Sequence, residues 1–160
     1  WGKDRLIPDC VRSLSEKKPI LIRSPNAIRP WQFVLEPLYG YLLLGAKMLE
    51  KGQKYAGAWN FGPQKMKYLT VKELVEQSIK EWGGGKYKVD AGKHPHETTV
   101  LRLNSAKAEK DLGWKNIYNN RKALVKTIRW YRDYYRGSDN IYERTLGEIR
   151  EYMKDLKAAD

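Results

Sequence analysis

Apolar residues recur at helical spacing through several long segments of this 160-residue chain, whereas strand-like runs are short and few. The longest helical segment is predicted from Val34 to Gly52, with a glycine stop. Its apolar face comprises Val34, Leu38, Tyr41, Leu42, Gly45, Met48 and Leu49. Further helices are predicted near 5–17, 70–82, 105–112, 121–136 and 145–156, and short strands near 19–23, 58–62 and 87–90. The pattern predicts a helix-rich α/β, α+β-like lobe, because such strands cannot form an independent Rossmann sheet.

The charge balance is strongly basic, with 31 Lys and Arg against 19 Asp and Glu, a net charge of +12. The basic residues are dispersed, and no run reaches five. This dispersal argues against nucleic acid as the main partner, although a basic nucleic-acid-binding module remains the alternative. A small phosphate-bearing ligand needs only one or two well-placed arginines, and the charge excess neither requires nor excludes it. The single cysteine, Cys10, allows no intrachain disulfide and is consistent with a reducing cytoplasm.

The chain is long enough for one domain with one core, so residues 1–160 are predicted to form a single lobe. The longest apolar run, 41–46, is far shorter than the roughly 20 residues that span a bilayer. No signal peptide is evident, and a soluble globular protein is expected. Because the sequence begins at Trp1 rather than Met, we expect a fragment of a longer chain.

Two places carry residue types suited to a ligand. Arg29, Pro30 and Trp31 stand together before the longest helix, and a guanidinium held beside a rigid proline suits bidentate phosphate binding. The alternative is that Arg29 pairs with a surface acid while Trp31 packs in the core. Asn60 ends a predicted strand beside a Gly-Pro turn, where it could contact a ligand or cap the turn.

Other candidate chemistry is weaker. The segment His94-Pro95-His96-Glu97 lacks a distant third ligand, so a polar loop lining a pocket is favoured over a metal site. Cys10 lies on an apolar helix face, as a core cysteine does. The aromatic and arginine-rich segment 130–136 is expected to pack one face and solvate the other.

Several motifs together resemble one enzyme family. They are Asp4-Arg5-Leu6-Ile7-Pro8-Asp9, Arg29-Pro30-Trp31-Gln32, residues 56–63 (Ala-Gly-Ala-Trp-Asn-Phe-Gly-Pro), His94-Pro95-His96-Glu97, and the segment from Leu103 to Trp114. The chain resembles the C-terminal, substrate-binding part of the NAD-dependent epimerases and dehydratases, which are extended short-chain dehydrogenases/reductases. The likeness covers residues 1 to about 155 and is strongest to the branch that acts on CDP-glucose.

The resemblance implies a lyase of deoxysugar biosynthesis that converts CDP-glucose to CDP-4-keto-6-deoxyglucose with NAD. Arg29 would clamp the diphosphate, and Leu6, Ile7 and Pro8 would form the nucleotide wall. Arg5, Trp31, Asn60, His96 and Glu97 are further substrate-binding candidates by the same resemblance. A relative that uses another nucleotide sugar is the alternative within the family.

The family's NAD-binding glycine loop, its Tyr-x-x-x-Lys pair and its acid–base carboxylates belong to the N-terminal Rossmann half, which this sequence lacks. Tyr118 and Lys122 match the Tyr-Lys spacing at what reads as a loop and helix entry, so this match is interpreted as chance. We therefore expect no catalytic residue, no metal and no bound NAD in this chain. The missing half is the expected partner, and self-association is possible through the apolar face it would cover.

Overall fold

The computed structural model describes residues 2, 4–63, 67–92, 98–137 and 140–159. Six α-helices, two strands and a short 3-10 helix are found in these ranges, which confirms a helix-rich lobe with a small sheet. In chain order they are α1 (Leu6–Ser15), β1 (Ile20–Ile22), α2 (Leu35–Lys51), the 3-10 helix (Gly52–Tyr55), α3 (Val71–Trp82), β2 (Tyr87–Val89), α4 (Ala106–Leu112), α5 (Asn120–Tyr135) and α6 (Ile141–Ala159).

The two strands form a parallel pair in which Ile20 lies opposite Tyr87 and Ile22 opposite Val89. Side chains alternate across a strand, so Ile20 and Ile22 are buried while Leu21 is 65% exposed. The buried face packs on Cys10 of α1 and on α3. A sheet of two strands depends on these helices for its stability.

Helix α3 begins at a reciprocal capping box. The hydroxyl of Thr70 accepts from the backbone N–H of Glu73, and the Glu73 carboxylate accepts from the N–H of Thr70. Such a cap is typically worth about 1 kcal/mol, and it fixes the helix start that the sequence predicts. From there Leu74 packs with Leu124 and Ile128 of α5, so α1, α3 and α5 share one core.

A second core lies around α2 and α4. Trp114 is fully buried, and its indole N–H donates to the carbonyl oxygen of Glu36 at 3.1 Å. The Phe61 ring packs edge-on against Trp114, with centroids 5.2 Å apart. Phe61 also presses on Gly40, where an added Cβ would lie 2.4 Å from the ring. Gly40 is therefore required for this close approach.

The strand predicted at 58–62 is wrong, since residues 58–63 form no strand in the structure. A strand needs a neighbour to complete its backbone ladder, and here side chains bond the segment instead. Lys107 Nζ donates to the Ala58 oxygen at 3.1 Å. Gln32 Nε2 donates to the Phe61 oxygen at 2.8 Å. The sequence pattern predicted an extended segment, but it contains no information on whether a neighbouring strand pairs with that segment.

The apolar face predicted for the longest helix exists, but much of it does not enter a core. Leu42 is 75% exposed and Leu49 is 91% exposed, and Leu38 and Tyr41 are exposed beside them. The opposite side of α2 is the buried one, through Glu36 and Gly40. Periodicity identified the stripe but could not say which surface, if any, covers it.

The last helix begins at Ile141 rather than at Thr145. Asn140 Oδ1 accepts from the N–H of Glu143, so Asn140 supplies the cap. Thr145 lies inside the helix, where its hydroxyl donates to the Ile141 oxygen and accepts from the indole N–H of Trp130. Among the described residues, no helix combines the length and apolar character needed to cross a membrane.

Candidate functional site

A groove of about 920 Å³ runs beside α1 and β1 and reaches the segment before α2. Its volume lies within the range of about 300–1,000 Å³ that is usual for small-ligand sites. Its walls include Leu6 of α1, the exposed residue Leu21 of β1, and Arg29 and Trp31 from the segment before α2. The groove therefore gathers three segments that are separate in the sequence.

Four of the predicted substrate-binding residues line this groove, namely Arg5, Leu6, Arg29 and Trp31. Three others do not. Ile7 and Pro8 lie half-buried in α1, and Ile7 packs against the core between α1 and α5. Asn60 is exposed on the segment after the 3-10 helix. The last two, His96 and Glu97, lie outside the described residues.

Arg29 is held by backbone carbonyl groups. Its Nη1 donates to the Ile28 oxygen at 2.9 Å and to the Thr98 oxygen at 2.8 Å. The neighbouring backbone is tied to the same loop, since the N–H of Ile28 donates to the Thr99 oxygen and the N–H of Leu101 to the Ile28 oxygen. The guanidinium is thus positioned at the groove wall by a segment about seventy residues further along the chain.

Trp31 takes the core position that its sequence context allowed. Its indole N–H donates to the Leu69 oxygen at 3.2 Å, and its ring packs against the core of Val11 and Leu69. Trp31 also lines the groove. A tryptophan anchored in this way presents a fixed flat surface to a ligand.

The groove lining contains five cationic and four acidic residues. Three of the cations form ion pairs, Arg12 with Asp9, Lys18 with Glu16 at 2.7 Å, and Arg23 with Asp4 at 3.2 Å. Arg5 is exposed, and its side chain makes no hydrogen bond or ion pair with any residue in the described ranges. Arg5 and Arg29 are therefore the lining cations best placed to meet an anionic ligand.

Arg23 and Asp90 are two of the polar groove residues that the sequence did not indicate as candidates. Arg23 follows β1 directly and Asp90 follows β2, so the parallel pairing brings both to the carboxyl edge of the sheet. Ligands commonly bind at that edge in α/β proteins. In the sequence, a polar residue follows each of the two strands. This pattern indicates a shared site only when the two strands are known to be parallel neighbours.

Two residues that could have suggested catalysis are structural. The hydroxyl of Tyr118 donates to Asp155 Oδ2 at 2.8 Å, while burial and this carboxylate raise the pKa of Tyr118 strongly. Lys122 lies 4.1 Å from the Tyr118 ring centre and bonds the same carboxylate at 2.6 Å. Cys10 is fully buried, and burial raises the pKa of its thiol to about 12. Neither side chain is available as a nucleophile or base at neutral pH.

No group of three or more metal-ligating side chains occurs in the part of the chain that the structure describes. A dinucleotide loop requires a strand, then glycines, then a helix. The glycines at 83–85 instead follow the end of α3, and Gly83 adopts the left-handed conformation of a helix stop. These residues do not fit NAD.

Sequence comparison relates the chain to a curated enzyme, whereas no family model matches it. It is 38% identical over 154 residues to CDP-glucose 4,6-dehydratase of Salmonella typhimurium strain LT2. The alignment covers 96% of this chain but 43% of the relative. The chain thus spans less than half the length of the curated relative that it matches.

Solved structures share the fold. One is dTDP-glucose 4,6-dehydratase from Bacillus anthracis with NAD, at TM-score 0.64 and 23% identity, covering 83% of this chain and 42% of that one. Another is dTDP-glucose 4,6-dehydratase from Streptomyces venezuelae with NAD, at TM-score 0.67 and 23% identity, covering 83% and 41%. UDP-glucuronic acid 4-epimerase from Bacillus cereus aligns at TM-score 0.66 and 16% identity, covering 83% and 40%. Over nearly its whole length, this chain is similar in sequence to the C-terminal portion of CDP-glucose 4,6-dehydratase, and its fold is similar to part of the solved dehydratase and epimerase structures.

Proposed function

We propose that this chain is the nucleotide-sugar-binding part of a CDP-glucose 4,6-dehydratase. The observation that carries the proposal is the 38% identity to that enzyme, together with one groove that gathers Arg5, Leu6, Arg29 and Trp31. In this proposal the diphosphate lies against Arg5 and Arg29, because these cations line the groove and can donate charge-assisted hydrogen bonds. Leu6 and Trp31 supply the apolar wall on the nucleotide side.

The proposal assigns binding to this chain and chemistry to a part of the enzyme that it does not contain. Tyr118 and Cys10 are engaged or buried, and the glycines at 83–85 do not fit a dinucleotide. We therefore expect the purified chain to bind CDP-glucose without converting it. Formation of a 4-keto product by the purified chain would contradict this division of roles.

The partner in this proposal is an N-terminal, NAD-binding half that covers the exposed apolar face of α2. Support comes from the strongly exposed Leu42 and Leu49, and from an aligned relative more than twice as long as this chain. Residues 58–63, which include Asn60, also have no pairing strand within the described part of the chain. Docking of such a half beside this segment could bring Asn60 toward the ligand. Self-association of the chain through the same face of α2 is the alternative. We also propose that the protein is located in the cytoplasm.

Calorimetric titration tests the binding role, using CDP-glucose, UDP-glucose and a short single-stranded RNA. We expect CDP-glucose to bind most tightly. Arg29→Ala should weaken that binding about ten- to a hundredfold, because a charge-assisted hydrogen bond contributes about 1.5–3 kcal/mol. Arg121→Ala, which removes an exposed cation of α5 that does not line the groove, should leave binding unchanged.

Arg5→Ala separates loss of binding from loss of fold. Removal of the Arg29 side chain also removes its bond to the loop at Thr98, whereas the Arg5 side chain bonds to no residue in the described ranges. A weaker affinity in Arg5→Ala with an unchanged melting temperature would support the assigned groove. Salt-sensitive RNA binding without any preference for a sugar nucleotide would refute the proposal for this chain.

A further inference from the structure

A second groove, of about 700 Å³, lies where α1, α3 and α5 end. It adjoins the candidate substrate groove at Lys18 and Pro19, and the rest of its lining is different. Four cationic side chains line it, and its described lining contains no acidic side chain. The four are Lys17, Lys18, Lys86 and Arg136. This excess of charge contrasts with the first groove, where acids nearly balance the cations.

Helix ends could explain some of these cations. Three helix C-termini meet here, and each is equivalent to roughly −0.5 elementary charge, or about −1.5 together. Lys18 is paired with Glu16 at 2.7 Å. Lys17, Lys86 and Arg136 form no ion pair within the described ranges, so three full positive charges remain. The positive charge of these side chains exceeds the partial negative charge of the helix ends, so the groove has a net positive charge.

Hydrogen-bond donors are also available in this groove. In the described part of the chain, the backbone N–H of Gly85 and the indole N–H of Trp82 have no acceptor. Gly85 has a φ of +143°, and an added Cβ would lie 2.4 Å from Leu14 Cδ2. Glycine is therefore required here for the backbone to pack against Leu14 at the groove wall. Unpaired N–H groups beside lysine and arginine suit an oxyanion.

We propose that this groove binds a small molecule carrying two or more phosphate groups, independently of the substrate groove. Its volume exceeds that of a single phosphate ion and falls in the range of small-ligand sites. Lys17, Lys86 and Arg136 neutralise the phosphates, while the N–H groups of Gly85 and Trp82 donate to their oxygens. The inference does not depend on the identity of the sugar nucleotide.

The test is calorimetric titration of the 160-residue chain with sodium tripolyphosphate, with CTP and sodium sulfate as comparators. We expect saturable tripolyphosphate binding that weakens at least tenfold in the double variant Lys86→Ser/Arg136→Ser. The matched control Lys110→Ser/Arg121→Ser removes the same charge from exposed positions outside the groove and should leave the affinity unchanged. Trp82→Phe keeps an aromatic side chain, removes the indole N–H and should weaken binding by a smaller factor.

Two further titrations distinguish a nucleotide ligand from a polyphosphate ligand, and this groove from the substrate groove. Tighter binding of CTP than of tripolyphosphate would identify a nucleotide as the ligand, and equal binding would identify the polyphosphate itself. Arg5→Ala should leave tripolyphosphate binding unchanged, so failure of the substrate groove and failure of this one are distinguishable. Equal losses in the two double variants, no saturable binding, or tighter binding of a short RNA would overturn the proposal.

Discussion

Glu36 is the residue whose burial most needs an explanation, since it is a fully buried carboxylate. It accepts from the N–H groups of Ile117 and Tyr118 at 3.1 and 2.9 Å, and from the hydroxyl of Tyr152 at 3.0 Å. One side chain therefore joins the start of α2 to the segment before α5 and to α6. The bonds offset part of the cost of placing a charge away from water.

Removing this carboxylate should destabilise the chain. Glu36→Ala leaves two backbone N–H groups and a hydroxyl without their acceptor, and we expect the free energy of unfolding to fall by about 3 kcal/mol. Glu36→Gln keeps the volume and one acceptor, so its loss should be less than half as large. Urea denaturation followed by circular dichroism measures both. A change below about 0.5 kcal/mol in Glu36→Ala would contradict the role given to Glu36.

The same residue predicts a dependence on pH. Burial raises the pKa of Glu36, although its three donors oppose that rise. The folded state then holds a proton that the unfolded state has lost, so stability falls as pH rises from the unfolded pKa to the folded one. Above the folded pKa this contribution is constant. The difference in stability between wild type and Glu36→Gln should change across that window, and a difference independent of pH would contradict this account.

Gly40 and Gly45 form a matched pair on one helix. A Cβ at Gly40 would meet the Phe61 ring at 2.4 Å, whereas a Cβ at Gly45 would meet no atom within 4 Å. Gly40→Ala should lower stability by about 1–3 kcal/mol through overpacking. Gly45→Ala should raise it by up to about 1 kcal/mol through helix propensity. Thermal unfolding of both variants checks the packing of residues 58–63 on α2, and similar effects would argue against it.

At the scale of elements, α5 and α6 are joined by buried charges. Lys126 Nζ lies 2.7 Å from Glu148 Oε2 and 2.7 Å from Glu151 Oε2. Arg144 reaches Glu148 from within α6 at 3.2 Å. The Lys126 and Glu148 side chains are only 11% and 10% exposed, so water screens this pair little. Such a pair specifies how two helices align more than it stabilises them.

Replacing one residue of the Lys126–Glu148 pair should therefore lower the free energy of unfolding more than replacing both. Lys126→Met leaves Glu148 buried with only Arg144 as a partner, and we expect a loss of about 3 kcal/mol. The double variant Lys126→Met/Glu148→Met should regain most of that loss. Lys18→Met, at an exposed pair, should change stability little and serves as the control. Additive losses in the double variant, measured by urea denaturation, would show that the two residues are not coupled.

The exposed face of α2 matters at the scale of the whole molecule. Leu38, Tyr41, Leu42 and Leu49 present a contiguous apolar stripe on one helix. Such a surface on an isolated chain promotes association or marks an interface. We expect the mass measured by light scattering to rise with protein concentration. The rise should be reduced in Leu42→Glu, whose side chain is not needed in either core.

A covering partner would change this behaviour. Adding an N-terminal segment of the Salmonella dehydratase should suppress self-association if α2 is an interface with such a half. A monomeric mass at millimolar concentration, both with and without that segment, would show that neither a second copy of the chain nor an N-terminal half binds to this face. Leu21→Glu offers a control, because it places the same charge on an exposed leucine of β1 instead of α2.

The sequence by itself determined the features that depend on neighbours along the chain. The capping box at Thr70, the glycine stop at Gly83 and the apolar spacing of α1, α3 and α5 all predicted helices that the structure contains. The motif at Arg29 and Trp31 likewise identified residues that line the groove. These signals are readable because helix formation and capping act within a few residues.

Only the tertiary structure decided the features that depend on distant contacts. It placed Arg23 beside Asp90 at the edge of a parallel pair, and it gave residues 58–63 no ladder partner among the residues that it describes. It also determined that α2 buries Glu36 and exposes Leu42. Strand pairing and burial depend on which surfaces are present to be covered, and periodicity along one chain contains no information about that second surface.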